Sequence, residues 1–171
     1  MSEQQLAPED LALVADFART GAELLQGKEA LADARGISRE QLDGLFQFCY
    51  DRYLNGAYDM AARGFRLLCI YDHANAGNWQ GYGYSLLALK DYRKAATCLA
   101  FGSLYLEQGS GAWADAHLHI AKALTHAGEP GAALEMLDTL MAGTGDGGVT
   151  EEAGALREAL EAKLGRAGAS A

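Results

Sequence analysis

A short turn followed by the start of a helix recurs three times along this chain, and the spacing of the three copies is nearly constant. Each copy places an alanine early in its helix, at Ala61, Ala95 and Ala133. The first two alanines are 34 residues apart and the second two are 38 apart. A period of 34 is typical of helix-turn-helix units that stack side by side, and 38 is that period plus one helical turn of inserted chain. The spacing therefore predicts an all-α solenoid of three helix-turn-helix repeats.

The repeats divide the chain into three parts. Residues 1–37 are predicted to form an N-terminal helical extension, residues 38–147 the three repeats, and residues 148–171 a C-terminal helix with a frayed tail. The repeats cover about 42–75, 76–113 and 114–147, and their helix pairs are expected near 42–54 with 58–71, 76–89 with 92–107, and 114–127 with 130–141. Trp79, Tyr82 and Gly83 approach the W-x-x-L-G pattern of tetratricopeptide (TPR) repeats, so the predicted fold is TPR-like.

Local start signals support two of these boundaries. Ser38 followed by Gln41 matches a capping box, which predicts a helix start near Arg39. The glycine-rich stretch 142–148 reads as a flexible linker, and Thr150 as the cap of the last helix.

Small residues are expected where the two helices of each repeat cross, because bulk there separates the helices. These positions are Ala61, Gly83, Ala95, Ala121 and Ala133. Large side chains are expected to fill the adjoining gaps, at Phe48, Phe65, Trp79, Tyr82, Tyr92, Ile120 and Leu137.

Charge and cysteine usage narrow the partners and the compartment. The formal net charge is −9, with 14 basic residues against 23 acidic ones, so nucleic acid and anionic membranes are unsuitable partners. Cys49, Cys69 and Cys98 are far apart, each among apolar residues, and read as small buried hydrophobes in a reducing cytoplasm. The first residues lack a signal-peptide pattern, and no apolar stretch is long enough to span a membrane.

Catalytic, metal and cofactor sites are not indicated. His117 and His119 form H-x-H, which points the two rings to opposite sides of a helix, and Lys122 interrupts the remaining histidine cluster. The stretch 145–148 lacks the preceding strand and the Lys-Ser/Thr of a phosphate loop. No nucleophile or nucleotide motif occurs, so we expect no enzyme, no metal and no cofactor.

The first helix of each repeat is expected to line the inner, concave surface of the solenoid. Residues three and four apart share one helical face, which collects the candidate groove residues Phe46, Tyr50, Tyr53, Leu54, Gln80, Tyr84, Leu87, Leu118 and Lys122. An aromatic inner face with few charges suits an extended peptide. The alternative is that these tyrosines are ordinary core between helices.

An apolar stripe also runs along the predicted helix 8–26. It consists of Leu11, Val14, Phe17, Ala18 and Leu25. Monomers seldom leave such a stripe in water, so it is expected either to cap the first repeat or to pack against a second copy of the chain.

Between about Glu40 and Leu140 the order of features resembles the class II chaperones of bacterial type III secretion systems, a TPR family. The residues that carry the resemblance are Leu42, Leu45, Tyr50, Tyr53, Gly56, Tyr58, Ala61, Phe65, Leu68, Cys69, Asp72, His73, Trp79, Gly81, Tyr82, Gly83, Leu89, Tyr92, Ala95, Gly102 and Leu104. In particular, Asp72-His73 stands where most TPR repeats have Asp-Pro.

The resemblance implies a function. Such chaperones bind hydrophobic translocator proteins in the bacterial cytoplasm before export, and take a proline-containing extended segment of the cargo into the concave groove. It adds Tyr58 and His73 to the candidate cargo-binding residues, and it favours a weak homodimer formed through the N-terminal stripe. A generic TPR scaffold and a regulator that acts through a DNA-binding partner remain the alternatives.

Overall fold

The computed structural model describes residues 31–144 and 148–168. Within those ranges the chain forms helices and no strands, as the sequence predicts. The helices are α1 (Leu31–Ala34), α2 (Arg39–Leu54), α3 (Tyr58–Tyr71), α4 (Ala76–Ala88), α5 (Tyr92–Ser103), α6 (Gly111–His126), α7 (Pro130–Gly143) and α8 (Gly148–Gly168). The predicted helix 8–26 and its apolar stripe lie outside the described residues. No helix in the described part is long and apolar enough to cross a membrane.

The first helix of each repeat starts at a side-chain cap. Ser38 Oγ accepts a hydrogen bond from the Gln41 amide at 3.2 Å, and Gln41 Oε1 accepts one from the Ser38 amide at 2.9 Å, so the predicted capping box is confirmed. Asn75 caps α4 and Ser110 caps α6 in the same way, by accepting from backbone N–H groups two and three residues on. Each cap satisfies a donor that the first helical turn leaves unpaired.

The turn between the two helices of each repeat has the same geometry three times. Gly56, Lys90 and Gly128 all have a left-handed backbone, with φ of 76°, 63° and 80°. In each turn the next residue donates its N–H to a carbonyl five residues back, as Asp91 does to Leu86 at 3.0 Å. This is the helix ending that glycine favours, and Lys90 is the described non-glycine residue that adopts it.

The helix crossings are built from small residues, as predicted. Ala61, Ala95, Ala121 and Ala133 have no exposed surface, and a side chain on Gly83 would overlap Leu99. Phe48 is predicted to fill a gap beside a helix crossing, and that prediction is wrong. Phe48 is 47% exposed, and the guanidinium carbon of Arg52 lies over its ring, 5.0 Å from the ring centroid. Phe48 lies on the outward face of α2, whereas Cys49 beside it is fully buried.

From α2 onwards each helix packs on the next one in the chain, which is the pattern of a solenoid, and the short α1 packs on α3. In addition, α2 packs against α4 and α6 against α8, an approach that the second helices α3 and α5 do not share to the same degree. The first helices of the first two repeats therefore lie on the inner side of the curve.

Three boundary predictions need correction, two of them at the C-terminal end. Helix α7 continues to Gly143 and α8 begins at Gly148, so the linker is shorter than 142–148 and Thr150 lies inside α8 instead of capping it. Helix α5 ends at Ser103, four residues before its predicted end. Helix α8 packs on α7 and α6 and covers the end of the third repeat.

Candidate functional site

The inner face of the first two repeats holds a pocket of about 180 Å³, here called the aromatic pocket. It is lined by Phe46, Tyr50, Tyr53, Phe65, Gly77, Gln80, Gly81 and Tyr84. Five of the predicted groove residues are thus brought together, and none of the lining residues is charged. Such a surface binds apolar side chains by area and shape.

Two glycines on α4 make room for this pocket. A side chain on Gly81 would collide with the ring of Phe65, and one on Gly77 would contact Phe46. With no side chain at Gly81, Phe65 reaches from α3 across to the inner surface while staying 1% exposed. Phe46 and Phe65 meet edge to face, with ring centroids 5.4 Å apart.

The tyrosines on α2 form the side of the pocket nearest the N-terminus. Tyr50 is 45% exposed. Tyr53 is half-buried and contacts Tyr58 edge to face at 5.4 Å, which places the predicted Tyr58 beside the pocket wall. Burial raises the pKa of Tyr53, and the neighbouring Tyr58 and Tyr50 add to that shift. The Tyr53 phenol therefore stays neutral at physiological pH.

Tyr84 closes the opposite side. Its hydroxyl donates a hydrogen bond of 2.6 Å to Oδ2 of Asp115 on α6, and its ring meets His119 edge to face at 5.1 Å. Burial raises the pKa of Tyr84, and the hydrogen bond to Asp115 raises it further. Tyr84 is thus held as a neutral donor by the third repeat.

A second recess of about 230 Å³, the polar recess, adjoins the aromatic pocket and shares Phe46 and Gly77 with it. Its lining includes Asp72, whose carboxylate pairs with Arg39 Nη1 at 2.7 Å. The hydrogen bond and the charge of Asp72 raise the pKa of Arg39. Buried Asn78 donates to the Asp72 carbonyl at 2.9 Å, so the recess is already paired internally.

Four predicted groove residues lie away from the aromatic pocket. Leu54 is exposed near the end of α2. The ring of His73 meets that of Tyr105 edge to face, with centroids 6.5 Å apart, and the His73 carbonyl accepts a hydrogen bond from the Trp79 indole N–H. Leu87 is half-buried against α5 and α6. Leu118 is 3% exposed because it packs in the core with α7 and α8, so its prediction as a groove residue is wrong.

Lys122, the remaining predicted residue, faces α8. Its Nζ pairs with Glu152 Oε1 at 2.8 Å. The inner face of the third repeat is thus met by the C-terminal helix.

The three cysteines and His117 are buried side chains. Cys49, Cys69 and Cys98 are free and buried, as predicted, and burial raises the pKa of Cys69 to about 12 and that of Cys98 to about 11. His117 is buried and its Nδ1 lies 2.9 Å from the Trp113 carbonyl. No group of three metal-binding side chains occurs in the part of the chain that the structure describes.

Sequence comparison identifies curated relatives among bacterial chaperones. The chain is 36% identical over 70 residues to the chaperone protein SicA of Salmonella typhimurium, a match that covers 41% of this chain and 42% of SicA. It is 28% identical over 80 residues to the low calcium response locus protein H of Yersinia pestis, covering 47% and 48%. The matched stretch spans less than half the length of these relatives, and no family model matches the chain.

Solved structures show the same fold over a larger part of the chain. A type III secretion complex from Aeromonas hydrophila has a TM-score of 0.75 at 24% identity, covering 86% of this chain and 97% of that one. The Yersinia enterocolitica chaperone SycD, in complex with a peptide of the translocator YopD, has a TM-score of 0.65 at 22% identity, covering 75% and 98%. PcrH in complex with the chaperone-binding region of PopD also has 0.65, at 24% identity, covering 75% and 97%.

Fold and site together define a TPR-like helical protein with an aromatic groove on its inner face. The chain has the fold of the type III secretion translocator chaperones, and its resemblance to the class II group is confirmed.

Proposed function

We propose that this chain is a non-enzymatic chaperone in the bacterial cytoplasm that binds hydrophobic type III secretion translocators. It holds an extended, proline-containing segment of the cargo in the aromatic pocket and keeps the cargo soluble and unassembled before export. The observation that carries this proposal is the uncharged aromatic pocket on the inner face of the first two repeats. SycD and PcrH, which share the fold, are each known in complex with a translocator segment.

The physical fit is direct. Aromatic rings offer large contact area at low cost in rotamer freedom. A proline-containing segment loses less backbone entropy when it binds in an extended form, because its φ is already restricted. The net charge of −9 helps a complex with a hydrophobic cargo to stay in solution.

A scaffold that grips acidic C-terminal tails is the competing proposal, and the groove does not favour it. Tail recognition needs clustered Lys and Arg to hold carboxylates. The predicted groove residues include one cation, Lys122, and it pairs with Glu152.

Calorimetric titration distinguishes the two proposals. The probes are the YopD peptide and the chaperone-binding regions of PopD and PopB, for which SycD and PcrH are the known partners. An acidic peptide with a free C-terminal carboxylate is the matched negative probe. We expect 1:1 binding of at least one translocator segment and none of the acidic peptide. The reverse result would favour the scaffold.

We also propose that the N-terminal stripe of Leu11, Val14, Phe17, Ala18 and Leu25 forms a weak homodimer. The test is sedimentation over a concentration series for the full chain and for a version that begins at Leu31. That start keeps Ala32, which is buried in the core of the first repeat. We expect the truncation to be monomeric and still helical. A full chain that is monomeric at every concentration, or a truncation that still dimerises, would instead assign the stripe to capping or to another surface.

A further inference from the structure

Asp115 makes a contact that reaches from the third repeat into the site formed by the first two. Its Oδ2 accepts the Tyr84 hydroxyl at 2.6 Å, across 31 residues of chain. That length is typical of a hydrogen bond to an ionised carboxylate, which is stronger than one between neutral groups. Tyr84 in turn lines the aromatic pocket.

The carboxylate is itself placed by its neighbours. His119, one turn further along α6, has its Nδ1 2.9 Å from the Asp115 carbonyl and 3.4 Å from Oδ1. The same imidazole meets the Tyr84 ring edge to face at 5.1 Å. Tyr84 is therefore held at two points, its hydroxyl by Asp115 and its ring by His119.

The charged pairs of Arg39 and Lys122 do not join neighbouring repeats. Arg39 pairs with Asp72 within the first repeat, and Lys122 pairs with Glu152 between α6 and α8. Among the described side-chain hydrogen bonds, Tyr84–Asp115 is the one that links α4 to α6. A change there alters both the pocket wall and the way the third repeat meets the second.

We infer that Asp115 is a positioning residue of the cargo site, which fixes the Tyr84 ring as one wall of the aromatic pocket without itself lining that pocket. The inference rests on the proposed function for its effect on binding, but the position of the Tyr84 ring is a property of the free protein. Without the Asp115 carboxylate, the Tyr84 hydroxyl would need another hydrogen-bond partner, and the Tyr84 ring would leave the orientation that closes the pocket.

The first measurement uses the free protein. Spectra of chain labelled with ¹³C at the tyrosine ring positions are compared for the parent, Asp115→Ala and Asp115→Asn, with Tyr84→Phe to assign the signals. We expect the Tyr84 signals to move in Asp115→Ala and to return close to the parent in Asp115→Asn, whose amide oxygen still accepts the hydroxyl. Unchanged Tyr84 signals in Asp115→Ala would overturn the inference, whatever the protein binds.

The second measurement is binding of the PopD chaperone-binding region to the same variants. We expect Asp115→Ala and Tyr84→Phe each to weaken binding about fivefold to tenfold, and the double variant to lose no more than either single one, because the two groups act through one bond. Glu152→Ala, which breaks the Lys122 pair on the same face, is the control and should bind like the parent.

The outcomes separate the two proposals. Losses that add in the double variant, or parent affinity in Asp115→Ala, overturn the positioning role alone. If neither the parent nor any variant binds any translocator segment, the proposed function fails, and the ring spectra still decide whether Asp115 positions Tyr84.

Discussion

The inner face of the first two repeats differs from that of the third, although all three repeats have the same helix pairing and the same turn. In the first two, the inner helices carry Phe46, Tyr50 and Tyr84 around a pocket. In the third, the corresponding helix turns Leu118 into the core and pairs Lys122 with α8. The number of repeats therefore does not determine the area available for binding, because α8, the helix that ends the solenoid, also covers part of the inner face.

The largest effect on binding affinity is expected for substitutions that compare the inner face of the first two repeats with that of the third. Tyr50→Ala with Tyr53→Ala should weaken binding of a translocator segment by about 2–4 kcal/mol, the range for aromatic anchors. Lys122→Ala, on the inner face of the third repeat, should change affinity little. The measurement is calorimetric titration, with circular dichroism to check that helical content is kept.

Phe48→Ala serves as a control on the same helix, because Phe48 is exposed and does not line the pocket. Equal losses in Phe48→Ala and in the double tyrosine variant would place the binding surface elsewhere on α2.

The next largest effect is expected when bulk is added at equivalent helix crossings in the second and third repeats. Ala95→Leu and Ala133→Leu each insert bulk at a position with no exposed surface, which should cost about 1–3 kcal/mol of unfolding free energy. Only Ala95→Leu should also weaken cargo binding, since α5 packs directly on α4. Denaturant unfolding and titration of both variants check this.

Thr97→Leu, at an exposed site on α5, is the matched control for added bulk. A parent-like unfolding midpoint in Ala95→Leu would contradict the assigned helix crossing.

A smaller gain is expected from the turn of the second repeat. Lys90→Gly places glycine where the backbone has φ of 63°, and should raise the unfolding free energy by about 0.5–1 kcal/mol. Gly128→Lys, the opposite change in the third repeat, should lower it. If both changes leave the unfolding midpoint unaltered, the left-handed turn does not limit stability.

The smallest expected effect is a pH dependence of stability that arises from one side chain of the third repeat. Burial lowers the pKa of His117 from its ordinary value of 6.5, so below about pH 6.5 the unfolded chain takes up a proton that the folded chain does not. Stability should therefore fall as the pH drops from 7.5 to 5.5, and His117→Gln should reduce that fall. Identical slopes in the parent and His117→Gln would contradict the assignment.

Much of the fold follows from residues that act locally. The Ser38–Gln41 capping box and the buried alanines at the crossings are predictable because each depends on a short spacing along one helix. Spacing along α2 and along α4 also predicts five of the residues that line the aromatic pocket, but not the positions of Leu54 and Leu87 away from it.

Contacts between elements far apart in sequence were harder to predict. Leu118 has the spacing of a groove residue, but the packing of α7 and α8 decides that it is core. Phe65 was missed because it belongs to the second helix of its repeat and reaches the pocket only past Gly81. The lack of a side chain at Gly77 and again at Gly81, one turn apart, was the available signal.

The place of Phe65 makes the floor of the cargo site part of the hydrophobic core of the first repeat. A segment bound in the aromatic pocket therefore stacks onto the folded core itself, and its binding energy adds to the stability of the first repeat by mass action. Under the proposed function, the protein with cargo bound should open less often at this end than the free protein. Amide hydrogens of α2 and α3 should then exchange more slowly once cargo is bound, while those of α7 change little.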